Sequence, residues 1–247
     1  MKNRKPETGK VQRSVATFLL ALGLAACAGP GGHPKDPLEP MNRATFQFND
    51  YADKAVMRPV AQVYDMAPLP IRTGVGNFFG NVGDLWIGVN NLLQGKFLDG
   101  LSDGGRFLVN TTVGIFGVFD IASELGLEKH DEDFGQTLGR WGVGPGPYLV
   151  LPVLGPSTVR DTAALPVDLQ ARPAALVDDT RARALAVTLL QVVDTRAGLL
   201  GASRVLDDIA LDKYSFLRDA YLARRRNQVY DGNPPEEPDE DADEPAK

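Results

Sequence analysis

The chain has 247 residues, a formal net charge of −6 and a single cysteine, so no intrachain disulfide can form and the fold must hold by packing alone. Hydrophobic residues make up 43% of it, enough for one large domain or two small ones. The charge sits at the two ends; residues 27–230 carry only −3, which excludes the basic footprint of a nucleic-acid-binding protein.

Residues 1–26 have the three parts of a secretion signal. Lys2, Arg4, Lys5, Lys10 and Arg13 form a basic start, residues 15–24 a short apolar run, and Ala25 and Ala26 the small residues before a cut. The run is too short for a membrane-crossing helix, which needs ~20 apolar residues. Leu24-Ala25-Ala26-Cys27 resembles the lipobox of bacterial lipoproteins. That resemblance implies acylation of Cys27, which becomes the new N-terminus. With Ala28 rather than Asp following, it also implies delivery to the outer membrane of a Gram-negative cell. Each buried acyl methylene contributes ~0.8 kcal/mol to such an anchor. Residues 27–37 are rich in Gly and Pro and read as a flexible tether.

A folded domain is expected over residues 38–230. Residues 41–65 predict a first helix with a break at Pro59. Val75, Phe78, Phe79, Val82, Leu85, Trp86, Val89, Leu92 and Leu93 then recur at the period of one helix face. Glycines at 74, 76, 80, 83 and 88 punctuate that helix. Gly76 and Gly80 have the spacing of small-xxx-small packing, and a kinked or irregular helix would account for the five as well. Residues 107–122 hold one charge, Asp120, and read either as a buried helix or as a segment in or under a lipid leaflet; periodicity favours the buried helix.

Residues 139–161, GRWGVGPGPYLVLPVLGPSTVRD, are too rich in Gly and Pro for a regular helix, yet strongly apolar. A long apolar loop of this kind is uncommon and often functional. Residues 174–200 read as another helix. Val205, Leu206, Ile209, Tyr214, Leu217, Tyr221 and Leu222 predict a closing one, with Ser203 as N-cap and Arg224, Arg225 and Arg226 in its last turns, where cations suit the helix dipole. No strand alternation is convincing, so the class is mainly α. Residues 231–247 are acidic, proline-rich and without a large apolar side chain; they read as a solvated, disordered tail.

Catalytic equipment is sparse. His33 lies in the tether, and His130 in a charged loop expected to be solvent-exposed. No nucleophile elbow, zinc cluster, P-loop or dinucleotide fingerprint occurs. Asp131, Glu132 and Asp133 fit no EF-hand spacing and read as a solvated acidic turn. No metal or cofactor is expected, and no enzyme activity.

Ordered blocks across residues 36–226 closely resemble the MlaA (VacJ) lipoproteins. They are Asp36-Pro37-Leu38-Glu39, Met41-Asn42-Arg43 and Phe46-Gln47-Phe48-Asn49; then Asn90-Asn91-Leu92-Leu93-Gln94-Gly95; then Arg106-Phe107 with Asn110-Thr111, Gly114, Gly117 and Asp120. Residues 133–139, DFGQTLG, the loop 139–161 and residues 214–225 complete the set. Pro40-Met41 and the long acidic tail depart from the pattern.

The resemblance implies a helical ring or disc in one leaflet of the outer membrane, with a central amphipathic channel. Such a protein removes phospholipids misplaced in the outer leaflet, associates with trimeric porins of the OmpC/OmpF type and hands lipid to the periplasmic carrier MlaC. On this reading Phe78, Phe79, Trp86, Phe107, Phe116 and Phe119 are candidates for a membrane-facing rim, with plain core as the alternative for each. Asn42, Arg43, Phe46, Phe48 and Asn49 are candidates for gating, and Gly142, Gly144 and Gly146 for the channel mouth. Arg160 would pair with phosphate there or with Asp161. The rival reading is an anchored structural or porin-binding envelope lipoprotein that moves no lipid.

Overall fold

The computed structural model describes residues 33–171 and 181–236. The signal, Cys27, most of the tether, residues 172–180 and the tail beyond 236 lie outside the described residues. The fold is mainly helical. Helix α1 (Glu39–Ala52) runs through a π-helical turn (Asp53–Met57) into α2 (Arg58–Asp65). Pro59 is the cause: it has no N–H to donate and its ring crowds the carbonyl four residues back, so one wide turn precedes it in place of a clean break. The longest helix, α3 (Leu69–Leu93), packs along α4 (Phe97–Thr112). The short α5 (Ile121–Glu124) and α6 (Phe134–Arg140) follow, each opened by an aspartate cap, Asp120 accepting from Ser123 N and Asp133 from Gln136 N.

Two short strands then form, although their sequences show no apolar alternation. β1 (Tyr148–Leu151) and β2 (Gly155–Thr158) pair antiparallel, with Tyr148 opposite Thr158 and Leu151 opposite Gly155. α7 (Val159–Gln170), α8 (Arg181–Gly198), α9 (Leu200–Ile209) and α10 (Lys213–Val229) complete the chain. Ser203 lies inside α9 rather than capping it; Asp212 caps α10, accepting from Tyr214 N and Ser215 N.

The element contacts close on themselves. α1 touches β1, β1 pairs with β2, β2 touches α10, α10 touches α6, α6 touches α3, α3 touches α8, α8 touches α2, and α2 returns through the π turn to α1.

Burial is inverted relative to a water-soluble domain. The largest fully buried side chains among the described residues are Arg106, Tyr148, Gln136, Asn42, Asn90 and Asn91, and the buried aliphatic residues are mostly alanines. Meanwhile Met66, Leu69, Leu98, Leu101, Leu108, Ile115 and Leu211 are exposed. On α3 the buried residues are Gly74, Phe79, Asn81, Asp84, Gly88, Asn90 and Asn91; on α4 they are Gly100, Asp103, Arg106 and Asn110. Both faces have helical spacing, and apart from Phe79 their buried residues are polar or small.

Charges buried this deeply survive only when paired and hydrogen-bonded, and these are. Arg106, fully buried, donates to Asp84 at 3.3 Å, to both oxygens of Asp120 at 3.0 and 3.1 Å, to Ser123 Oγ and to the carbonyl of Leu127. Burial alone would raise the Asp120 carboxyl; hydrogen bonds from Ser123 and Asn110 and the charge of Arg106 bring it down to about 2. Asn91 donates to Asp103 at 2.7 Å, and His130 Nδ1 lies 2.8 Å from the same carboxylate. His130 is therefore half-buried and partnered, not a freely solvated loop residue. The acidic turn also divides: Asp131 is exposed, Glu132 is buried against Lys96 at 2.8 Å, and Asp133 caps α6.

Residues 107–122 do not form one buried helix. α4 ends at Thr112, and residues 113–119 make an irregular loop that places Val113, Ile115, Phe116 and Phe119 outward. Ile115 and Phe116 hold φ of 52° and 57°, a region costly for a β-branched side chain. Gly117 follows at φ 85°, and a Cβ there would stand 2.5 Å from the Asn81 amide.

Close helix approach occurs elsewhere than at Gly76 and Gly80. A Cβ on Gly88 would meet the Gly100 carbonyl at 3.1 Å and Asp103 Cβ at 3.2 Å, whereas one on Gly76 would meet only Asp194 Oδ2 at 3.5 Å and one on Gly80 only the flexible end of Lys129. The tether shortens too: Asp36 is fully buried, accepting from Asn42 Nδ2 at 2.8 Å, Tyr214 Oη at 2.5 Å and Arg218 at 3.4 Å, so the fold begins before residue 38.

Candidate functional site

A cavity of about 730 Å³ opens between α10, the end of α6 and the loop 142–147 that leads into the hairpin. Gly139, Gly142, Val143, Gly144 and Pro145 form one wall, and Leu222, Ala223, Arg226, Val229 and Tyr230 of the α10 side form another. Lys35, Arg160, Arg225 and Arg226 supply its cationic side chains, with His33 beside them, and Asp219 is its one carboxylate. The apolar wall suits an acyl chain, while Arg160 and Arg225 at its polar end are already paired with Asp161 and Asp133.

Its charged floor is a built arrangement. Asp161, in the first turn of α7, accepts from Arg160 Nε at 2.9 Å, Arg225 Nε at 3.0 Å and Tyr221 Oη at 2.9 Å. Arg225 reaches on to Asp133 with two bonds of 2.6 Å. Thr158 caps α7 by accepting from Asp161 N at 3.2 Å, which fixes the carboxylate under both guanidinium groups. Burial would raise the Asp161 carboxyl, but hydrogen bonding and charge from Arg225, with help from Arg160 and Tyr221, hold it below the usual carboxylate range. Burial likewise disfavours a charged Arg225, and Asp133 and Asp161 outweigh that and keep it firmly protonated. Gly135 makes room for the cluster: a Cβ there would stand 2.5 Å from Arg225 Nη2 and 2.6 Å from Asp161 Oδ1.

Three of the expected channel residues, Gly142, Gly144 and Arg160, line this cavity. Arg160 is buried and paired with Asp161. Gly146 does not line it; its space faces Val159 at 3.1 Å. Asn42, Arg43, Phe46, Phe48 and Asn49 are also absent from the lining; Asn42 and Asn49 bind the hairpin beside it. Asn42 donates to the Tyr148 carbonyl at 3.0 Å and accepts from Val150 N at 2.9 Å. Two helical turns later, Asn49 donates to the Leu151 carbonyl at 2.9 Å and accepts from Val153 N at 2.7 Å. The two amides thus pair with β1 and its turn as a neighbouring strand would, which fastens α1 along the hairpin. Phe46 meets Tyr214 edge-to-face, with centroids 5.7 Å apart. Arg43 lies over the Tyr214 ring at 4.3 Å and binds Asp212 at 2.7 Å, so it ties α1 to α10. Phe48 points out to the surroundings.

Of the aromatic rim candidates, Phe78, Phe116 and Phe119 are exposed. Phe107 and Trp86 are half-buried, Trp86 donating to Asp168 at 2.9 Å. Phe79 is turned inward at 7% exposure and stacks edge-on against Phe78 at 5.5 Å. The apolar exterior of α4, including Leu98, Leu101 and Leu108, has its sequence signal in the polar stripe on the opposite side of that helix.

Comparison with known proteins shows the family. The profile of the MlaA lipoprotein family matches residues 34–228. The chain is 37% identical over 216 residues to the intermembrane phospholipid transport system lipoprotein MlaA of Shigella flexneri, covering 83% of this chain and 85% of that one. It is 36% identical over 216 residues to the protein of the same description from Escherichia coli (strain K12), with the same coverage. A solved structure described as "Structural basis for maintenance of bacterial outer membrane lipid asymmetry" matches with a TM-score of 0.68 at 34% identity, over 80% of this chain and 99% of that chain.

Proposed function

Because this chain belongs to the MlaA lipoprotein family, we propose that it lifts phospholipid from the outer leaflet of the outer membrane through the basic cavity and releases it to the periplasm. It is an outer-membrane lipoprotein of intermembrane phospholipid transport, serving lipid asymmetry; its relatives carry that description and the matching solved structure concerns that asymmetry. It handles phospholipid at a membrane, in a family of transport lipoproteins rather than known enzymes.

The finer steps are our reading. Acylated Cys27, after loss of residues 1–26, anchors the ring by the residue 27–37 segment. The domain from about residue 38 to 230 lies in one leaflet with its leucines and phenylalanines against acyl chains. Headgroups pass the wall formed by Gly142, Gly144 and Arg160, while α1 sets the hairpin through Asn42 and Asn49. Trimeric porins of the OmpC/OmpF type hold the ring in place, and the carrier MlaC receives the lipid. No chemical step is needed.

The observation that carries this reading is the inverted burial: arginine, asparagine and aspartate inside, leucine and phenylalanine outside. In water such a surface would drive association. In hydrocarbon it is the favourable arrangement, because tails lose nothing at the apolar rim and only the polar interior can replace the water around a phosphate. Deleting the gene should raise outer-leaflet phospholipid, measured by lipase accessibility or surface labelling on intact cells, and the wild-type copy should reverse the rise. An unchanged outer leaflet would leave the porin-binding scaffold as the better account, and fatty acid released from labelled phospholipid by the purified protein would overturn the non-catalytic one.

A further inference from the structure

A second cavity, of about 420 Å³, adjoins the first. Asn227 lines both, and the chain passes from one lining to the other at Gly139–Arg140 and at Tyr230–Asp231. Where the first has an apolar wall, the second is polar, with Asn91, Lys96, Asp99, Glu128, His130 and Glu132 in its lining. Part of that polarity is already used. Lys96 holds Glu132 at 2.8 Å and also pairs with Asp231. Asp131 accepts from Gln228 at 2.9 Å and from Arg224 at 3.3 Å. What remains is a set of acceptors.

Asp103 arranges two of them. Fully buried in α4, it accepts from Asn91 Nδ2 at 2.7 Å, and its other oxygen lies 2.8 Å from His130 Nδ1. A carboxylate only accepts, so Nδ1 carries the ring proton and Nε2 of the neutral ring keeps its lone pair. Nε2 stands 3.9 Å from Asp99, too far for a hydrogen bond. The same carboxylate fixes the Asn91 amide, whose Oδ1 is buried, on a residue 1% exposed, and has no hydrogen-bond partner among the described residues. A buried acceptor left in that state is costly unless a donor reaches it. Glu128 is exposed and has no hydrogen bond or ion pair among the described residues. Two neutral acceptors and two carboxylates thus line one cavity with no protein donor engaged on them.

We propose that this cavity takes the primary ammonium of a zwitterionic phospholipid headgroup, of the ethanolamine type. The proposal rests on the transport reading and names the headgroup class that reading leaves open. A primary ammonium brings three N–H donors and a positive charge, which match Asn91 Oδ1 and His130 Nε2 as neutral acceptors and Asp99 and Glu128 as carboxylates. A metal ion matches less well, because no three His, Cys, Asp or Glu side chains among the described residues converge as ligands do. A quaternary ammonium has the charge without the N–H groups. A glycerol headgroup has hydroxyl donors but sets an uncompensated phosphate beside two carboxylates. The adjoining apolar wall leaves room for an acyl chain of the same molecule.

The test titrates the full acylated chain in detergent with short-chain phosphatidylethanolamine, phosphatidylcholine and phosphatidylglycerol. The ethanolamine lipid should bind about tenfold more tightly than either of the others at low salt, the equivalent of one charge-assisted hydrogen bond. In the double variant Asp99→Asn, Glu128→Gln the preference should fall to about twofold, and each single substitution, at one solvent-accessible side chain, should remove part of it. Asp131→Asn, in the same lining but with its carboxylate already held, should leave the preference unchanged. Equal affinity for the ethanolamine and choline lipids, a preference that survives the double variant, or an equal loss in Asp131→Asn overturns the ammonium site and leaves the transport reading standing. Failure of the wild-type chain to bind any of the three lipids overturns both.

Discussion

Asn42 uses its whole amide. Its Nδ2 serves the Asp36 carboxylate and the Tyr148 carbonyl, its Oδ1 takes the Val150 N–H, and the side chain is fully buried. Alanine there strands buried backbone groups in a site closed to water, and each stranded group costs ~1–3 kcal/mol. Asn42→Ala should lower unfolding stability by about 2–4 kcal/mol, measured by thermal circular dichroism in detergent, whereas Phe48→Ala at the exposed neighbouring position should shift it little. Asp161 gives a pH signature. Its folded carboxyl titrates below the ordinary value, so its contribution is fully present above the unfolded pKa of about 3.9 and disappears as pH falls through the lower folded value. Asp161→Asn should cost ~3 kcal/mol near neutrality by breaking a buried ionic cluster. Its deficit relative to the wild type should narrow only below about pH 4; a deficit already closing near pH 6 would rule out the paired carboxylate.

At the scale of elements, what the sequence makes legible is period, and what it leaves open is sign. Val75, Phe78, Leu85, Val89 and Leu92 correctly mark α3 as a helix, and the same residues end on its outer side, apart from inward-turned Phe79. Apolar periodicity locates a face; whether protein or hydrocarbon covers it depends on the solvent, which no local pattern encodes. The polar stripe Asn81, Asp84, Asn91 with Asp103, Arg106, Asn110 was readable beside it and carried the missing information. The cavity was partly legible, since Gly142, Gly144 and Arg160 belong to a Gly/Pro-rich block that cannot be helix. Arg225 and Tyr221 were not, because they reach Asp161 from some sixty residues away in sequence. The hairpin was missed because its strands have four residues each and one reads Gly-Pro-Ser-Thr. Glycine positions on α3 separate the roles that spacing conflates. Gly88→Leu would force α3 off α4, where the Gly100 carbonyl leaves no space, and should cost ~1–3 kcal/mol by overpacking. Gly83→Ala, with nothing within 4 Å of the added methyl, should instead raise stability by up to ~1 kcal/mol through helix propensity. Paired melting curves decide the matter, and equal effects at the two positions would refute the close α3–α4 crossing.

Across the whole molecule, the inverted burial makes one physical statement: large apolar side chains lie outside and paired polar ones inside, which on the transport reading sets the exterior against acyl chains. The consequence is sharpest at Leu101, exposed on the side of α4 opposite the buried Asp103 and Arg106. On a water-facing helix Leu101→Lys would be close to neutral. In a leaflet it places an ammonium in hydrocarbon, costing up to ~3 kcal/mol at depth and less if the side chain snorkels to the interface. That substitution should therefore weaken vesicle association of the Cys27→Ala protein, in which no acyl anchor hides the loss, while leaving its helical circular dichroism intact. A bimane on Leu101→Cys, in the same Cys27→Ala background, should be quenched by brominated phospholipid and protected from aqueous iodide. The same dye on Asp131→Cys, in an exposed polar loop, should show the reverse. Iodide quenching at both positions would mean that water, not lipid, covers the leucines. The circuit of helices would then enclose its polar interior for some purpose other than carrying phospholipid across a leaflet.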